Sequence, residues 1–227
     1  MNLRIFDTAD DVIAAVASSI MQRASANGSL LIALSGGSTP QPLYAMLGQP
    51  PRRDVLTKAR ITWVVVDERY VPVTDPQSNA GMIERTLFAE GLPSSHQFLR
   101  FRTEFPDPAR SAIEFERVWR DLRIEHLDVV ILGFGEDGHT ASLFPGTPVV
   151  DVHDRIASAV FVPRLDSWRV TLTMPVLRAA KLRIVLGAGA SKRKIIQEVR
   201  EGADYPIARA TRDAESWWFV DRAAVGE

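Results

Sequence analysis

Apolar residues recur along this chain at two spacings, and the alternation between them predicts its architecture. Val12, Ile13, Val16 and Ile20 share one face at helical period, with Asp7 or Thr8 placed to cap the helix and Asn27-Gly28 to end it. Leu30 to Leu34 is a short all-apolar run, followed by Ser35-Gly36-Gly37-Ser38-Thr39 and a second helix opening at Pro40. Ile61 to Val66 predicts a strand ending in Asp67-Glu68-Arg69, then helices over about 79–89 and 108–123, then a strand over 127–132. Residues 158–162 and 182–186 read as strands, a helix follows Gly187-Ala188-Gly189, and 216–220 is a last strand. Several of these strands are continuously apolar rather than alternating, which predicts burial on both faces. The expected class is α/β, doubly wound and Rossmann-like, with a mainly parallel sheet and helices on both faces.

No repeat, low-complexity tract or Pro/Gly/Ser-rich linker divides the chain, so residues 1–227 read as a single domain. The Pro-bearing segments at 70–77 and 103–108 read as excursions over the sheet edge. Composition narrows the chemistry further. Cysteine is absent, which excludes disulfides, thiolate nucleophiles and cysteine metal sites, and fits a reducing cytoplasm. A net charge of −1 and the lack of a basic tail argue against nucleic acid as a partner. No segment approaches the roughly 20 apolar residues of a membrane span. Arg52-Arg53 and Lys192-Arg193-Lys194 read as solvated surface, Lys192 excepted.

Three segments carry candidate chemistry. Ser35 to Pro40 joins a strand to a helix, with Thr39 expected as N-cap and Pro40 at the first helical position. Gly36 and Gly37 let N–H groups face a guest, Ser38 and Thr39 add hydroxyl donors, and the helix dipole favours an anion. The loop lacks the Lys-Ser/Thr ending of a nucleotide P-loop, so a sugar phosphate is the expected guest. A nucleophile elbow at Ser35 fails because Ala33 stands where that motif needs glycine.

The second segment, Gly133 to Gly146, follows a buried strand and holds His139. Its Gly133, Gly135 and Gly138 match G-x-G-x-x-G formally, but Pro145-Gly146 arrives too soon for the helix a dinucleotide needs. An imidazole titrating near about pH 6.5 is largely neutral in a cell and suits proton transfer. His96, His126 and His153 read as solvated residues in loops or at element ends. No H-E-x-x-H or paired-histidine spacing occurs, so neither a metal nor another cofactor is expected. In the third segment, Asp67, Glu68 and Arg69 emerge at the same sheet edge; Arg169 and Lys192 are further cations available to a phosphate.

Taken together, Ser-Gly-Gly-Ser-Thr-Pro at 35–40, Asp-Glu-Arg-Tyr-Val-Pro at 67–72 with Ser78-Asn79, and the string from Gly133 to Gly146 resemble the signature set of bacterial 6-phosphogluconolactonases. Arg169 to Leu177, the segment around Lys192, and Pro206-Ile207-Ala208-Arg209 match in order and spacing. The resemblance implies a fold like that of glucosamine-6-phosphate deaminases and hydrolysis of a phosphosugar lactone by a cytoplasmic monomer or weak homodimer. His139 would be the general base, with Asp67 and with Asp137 or Glu136 in support. Oxyanion donors would come from Gly36-Gly37 or from 133–138. Ser38, Thr39, Arg169, Lys192 and Arg69 would hold the substrate, Arg69 at its phosphate or a ring hydroxyl. Two departures separate the chain from the deaminases: Arg69 replaces an aromatic residue after Asp-Glu, and the histidine loop lacks their carboxylate. The alternatives are an amino-sugar-6-phosphate isomerase/deaminase and a non-catalytic sugar-phosphate sensor; for the latter, with a first strand near residue 29, no helix-turn-helix fits ahead of it.

Overall fold

The structure, a computed structural model, describes residues 1–212 and 215–227. Its strands are β1 (Asn2–Phe6), β2 (Ser29–Leu34), β3 (Arg60–Val65), β4 (Asp67–Arg69), β5 (His96–Leu99), β6 (Val129–Leu132), β7 (Ala157–Val162), β8 (Ser167–Leu172), β9 (Leu182–Gly187) and β10 (Ser216–Asp221). Seven of them form one sheet in the order β1-β10-β9-β6-β2-β3-β5, with every pair parallel. Every residue of β6 and β9 is buried, as a sheet covered on both faces requires. The helices are α1 (Ala9–Ala26), α2 (Gln41–Leu47), α3 (Arg52–Leu56), α4 (Asn79–Thr86), α5 (Pro108–Asp121), α6 (Met174–Ala179), α7 (Arg193–Arg200), α8 (Pro206–Thr211) and α9 (Arg222–Val225). Thr8 caps α1 through a reciprocal pair with Asp11, and Val12, Ile13, Val16 and Ile20 form its buried face.

From the centre, β2, β3 and β5 run outward in one direction and β6, β9 and β10 in the other. The chain therefore reverses its winding between β2 and β6, and the loops leaving their carboxyl ends part to open a crevice. Those loops are 35–40 and 133–139, the two glycine-bearing segments.

Four expectations need correction. The strand at 157–162 lies outside the parallel sheet: β4, β8 and β7 form a second, antiparallel sheet, which the continuous-apolar criterion did not anticipate. A strand precedes residue 29, because β1 pairs with β10 at the sheet edge. Thr39 is not the N-cap of α2; Pro40 occupies that place, in helical conformation and with no side-chain cap. His96 is buried rather than solvated, accepting at Nδ1 from Trp63 Nε1 (3.1 Å) and donating at Nε2 to the Leu56 carbonyl (3.0 Å). Pro108 opens α5, capped by Asp107, where the sequence predicts a helix over about 108–123, and residues 103–107 before it carry neither helix nor strand.

Candidate active site

All the predicted site residues except Asp137 and Glu136 line one cleft over the β2–β6 crevice. One wall is the turn at 36–39. Gly37 takes φ +102°, which glycine adopts without a steric cost. A Cβ on Gly36 would fall 1.7 Å from Asn79 Oδ1, so only glycine lets that side chain lie across the turn. Asn79 there donates through Nδ2 to the Asp67 carbonyl (2.6 Å). No hydrogen bond among the described residues uses the N–H groups of Gly36, Gly37, Ser38 or Thr39. Helix α2 has seven residues, so the turn's attraction for an anion rests on those free donors more than on a long macrodipole. Ser35 is committed elsewhere, its hydroxyl donating to the Ile131 carbonyl (2.7 Å) and its own carbonyl accepting from Tyr44 (2.7 Å).

The second wall comes from β4 and β8. Arg69 and Arg169 are paired across the antiparallel ladder, and the Nε of each is buried without a partner. Burial and the charge of Arg69 push the Arg169 guanidinium below its ordinary range. Two neighbouring cations with unused donors call for an anion between them. Arg69 also donates through Nη1 to the Gln77 carbonyl (2.7 Å). Asp67 is buried beside them, with Oδ2 accepting from Ser142 Oγ (2.7 Å). Glu68 points away from the cleft, accepting from the N–H groups of Arg69, Asn79 and Ala80, so its role is to fasten α4 to β4.

The third wall is the 133–139 loop with Lys192. Gly138 takes φ +76° and lies against the Tyr205 ring; a Cβ there would come within 2.3 Å of it. No helix follows Gly138, in keeping with the rejected dinucleotide reading. Within the loop, Gly135 N–H goes to the His139 carbonyl, Gly138 N–H to the Gly135 carbonyl and His139 N–H to Asp137. The N–H groups of Phe134, Glu136 and Asp137 enter no hydrogen bond among the described residues, so both expected oxyanion sources keep donors free. Lys192 donates to the Phe134 carbonyl (2.6 Å), and burial lowers its pKa.

His139 Nδ1 lies 2.5 Å from Asp137 Oδ1, whereas Glu136 makes no hydrogen bond to the imidazole. Phe144 stacks on the ring, with centroids 4.1 Å apart. Burial pulls the His139 pKa below the imidazole range and outweighs the opposing pull of Asp137 and Asp67. Burial works to raise the Asp137 carboxyl, but the hydrogen bond and charge of His139, with Arg164 behind, hold it below the ordinary carboxylate range. With Nδ1–H donated to Asp137, Nε2 keeps its lone pair for a proton. A neutral imidazole oriented by a carboxylate and facing a cationic pocket can remove a proton from water beside an anionic substrate. Among the described residues, no group of three or more His, Asp or Glu could hold a metal ion.

A family model described as glucosamine-6-phosphate isomerases/6-phosphogluconolactonase matches residues 6–218. The chain belongs to this family. Within it, the 6-phosphogluconolactonase of Haemophilus influenzae is 31% identical over 231 residues, covering 99% of both chains. That of Chlamydia pneumoniae is 32% identical over 92% of this chain and 80% of its own. The crystal structure of 6-phosphogluconolactonase from Leishmania guyanensis superposes with a TM-score of 0.85 at 26% identity, covering all of this chain and 97% of that one. Sequence reasoning missed Ser142, Phe144, Arg164 and Tyr205, which touch Asp67, His139, Asp137 and Gly138 respectively. Phe144 and Ser142 stood inside a segment already singled out, but an isolated Arg164 in a Pro-Arg-Leu-Asp turn carries no sequence signal.

Proposed function

We propose that this chain hydrolyses 6-phospho-D-glucono-1,5-lactone to 6-phospho-D-gluconate, a step of the oxidative pentose phosphate pathway. The observation that carries the reading is His139, bonded at Nδ1 to Asp137, opening onto the same cleft as Arg69, Arg169 and Lys192. The lactone carbonyl lies near His139, whose Nε2 takes a proton from water as the oxygen attacks carbon. The oxyanion of the tetrahedral intermediate accepts from the free N–H groups of the 36–39 turn. Collapse breaks the bond to the ring oxygen, and the imidazolium returns its proton to that leaving oxygen. Water and lactone are thereby converted to acid and alcohol with no metal and no covalent nucleophile. Asp67, held at one oxygen by Ser142, offers the other to the attacking water or to a ring hydroxyl.

The 6-phosphate occupies the cationic wall, with Ser38, Thr39, Arg169 and Lys192 around it and Arg69 at the phosphate or the adjacent hydroxyl. Fixing this non-reacting end turns binding energy into orientation of the carbonyl. Every side chain invoked comes from one chain and one domain, so a monomer or weak homodimer suffices. The lack of cysteine and a net charge of −1 support a cytoplasmic enzyme with no nucleic-acid partner. Among the described residues, no helix is long and apolar enough to cross a membrane.

Acid release from freshly generated lactone, measured above the spontaneous rate, tests the activity. In the same assay His139→Ala should lower kcat by about 10²–10⁴-fold. Near-normal turnover in that variant would remove His139 from the mechanism. Ammonia release from glucosamine 6-phosphate would favour the deaminase alternative, and binding of phosphosugar with zero turnover would favour a sensor.

A further inference from the structure

Asp137 divides its two oxygens. Oδ1 accepts from His139, at both Nδ1 (2.5 Å) and the backbone N–H (3.2 Å), and Oδ2 meets Arg164 Nη2 at 2.5 Å. Arg164 belongs to neither glycine loop. It sits in the Pro163–Leu165 turn between β7 and β8, at the end of the antiparallel sheet. The same guanidinium lies 4.8 Å from the centroid of Phe144, the ring that stacks on the imidazole. One side chain thus touches both groups that orient His139: the carboxylate at its Nδ1 and the aromatic ring on its face.

We propose that Arg164 is a positioning residue, clamping Asp137 and Phe144 so that His139 keeps its Nε2 turned toward the reacting carbonyl. This rests on the reading of His139 as general base. As an ordinary ion pair the contact would contribute little, because Arg164 is half exposed and solvent screens it. Its effect lies in geometry. A carboxylate bonded only at Oδ1 is free to rotate, and near Asp137 stands another cation, Lys192, that would attract the released oxygen. Rotation would cost His139 its tautomer and its orientation together. The guanidinium suits the task because its planar fork engages the carboxylate while its face covers an aromatic ring, a combination an ammonium group does not reproduce.

The charged and titratable groups around the imidazole are Asp137 from its own loop, Asp67 from β4 and Arg164 from the β7–β8 turn. The charge of Asp137 also reaches Lys192 and the Tyr205 hydroxyl. Loss of Arg164 removes the nearby cation that opposes imidazole protonation.

The test uses the full chain with Arg164→Gln, Arg164→Lys and His139→Ala, assayed on freshly generated lactone from pH 5 to 8. Arg164→Gln should lose roughly ten- to a hundredfold in kcat with KM little changed, since the phosphate wall is untouched. The acid limb of its kcat/KM profile should move to higher pH. Arg164→Lys retains the charge, so its limb should stay near that of the parent while kcat recovers only in part. Thermal unfolding of each variant identifies any that fails to fold. If Arg164→Gln keeps the parent kcat and limb while His139→Ala is inactive, the clamp is wrong and the base reading stands. A folded Arg164→Gln with raised KM and an unmoved limb would also overturn the clamp. If His139→Ala retains turnover, the base reading fails and the clamp fails with it.

Discussion

The imidazole of His139 has Phe144 on one face and Asp137 at Nδ1, and its side chain is half-buried. Desolvation disfavours its charged form more than the nearby carboxylates favour it, so its pKa lies below the free-imidazole value of about 6.5. The sign follows directly: the neutral, proton-accepting form persists to lower pH than in a free imidazole. Activity should therefore hold as pH falls past about 6.5 and decline only at the lowered value. A profile of kcat/KM from pH 5 to 8, corrected for spontaneous hydrolysis, checks this; an acid limb above about 6.5 would contradict the burial argument. The same residue shows what could be read from the chain. A glycine-flanked histidine after a buried strand leaves a mark in sequence because backbone conformation, here φ +76° at Gly138, restricts which residues fit. Arg164 leaves none, since nothing local to it demands arginine.

Between β4 and α4 the main joint is a buried carboxylate, supplemented by the Asn79 bond to the Asp67 carbonyl. Glu68 Oε1 accepts from the N–H groups of Arg69 (2.8 Å) and Asn79 (2.7 Å); Oε2 accepts from Ala80 N–H (2.8 Å) and Ser78 Oγ (3.1 Å). Burial pushes its pKa up even against those three backbone donors. Glu68→Gln keeps the shape but turns an NH2 group toward donors on at least one side, leaving buried groups unpaired at a cost of about 1–3 kcal/mol. Urea unfolding should show that loss. KM for the lactone should rise as well, because α4 carries Asn79 across the Gly36 turn; an unaltered KM would mean that the turn is set without α4. Strands and helices dominated by local pattern, such as β2, β6 and α1, were legible in sequence. The antiparallel sheet was not, because β4 follows β3 after one residue and its pairing with β8 is decided about a hundred residues away. Ser142 on Asp67, 75 positions apart, escaped notice for the same reason.

At the scale of the whole molecule, the cleft sits at the carboxyl ends of the strands, whereas His96 begins β5 and pairs with Ile61 near the amino end of β3. That separation allows acid stability to be altered without altering catalysis. Burial lowers the His96 pKa, with Arg53 adding to the effect and the Leu56 carbonyl opposing it. Its Nδ1 accepts from Trp63 Nε1, so protonation would set two donors against each other in the core. The folded-state value is depressed, hence the contribution to stability is complete above the unfolded value of about 6.5 and is lost as pH falls from there through the folded value. His139 is lowered likewise and adds a second such proton. Each contributes at most about 1.4 kcal/mol per pH unit within its window. His96→Asn retains an acceptor near Trp63 but cannot titrate. Denaturant unfolding at pH 7.5 should find it about 1 kcal/mol less stable than the parent, through the bond lost to Leu56. Between pH 6.5 and 5 its stability should fall less steeply than the parent's, while the pH profile of lactone hydrolysis is unchanged. An identical slope in both proteins would assign the acid sensitivity to His139 and its cleft, so that the loss of folding and the loss of catalysis would share one titration.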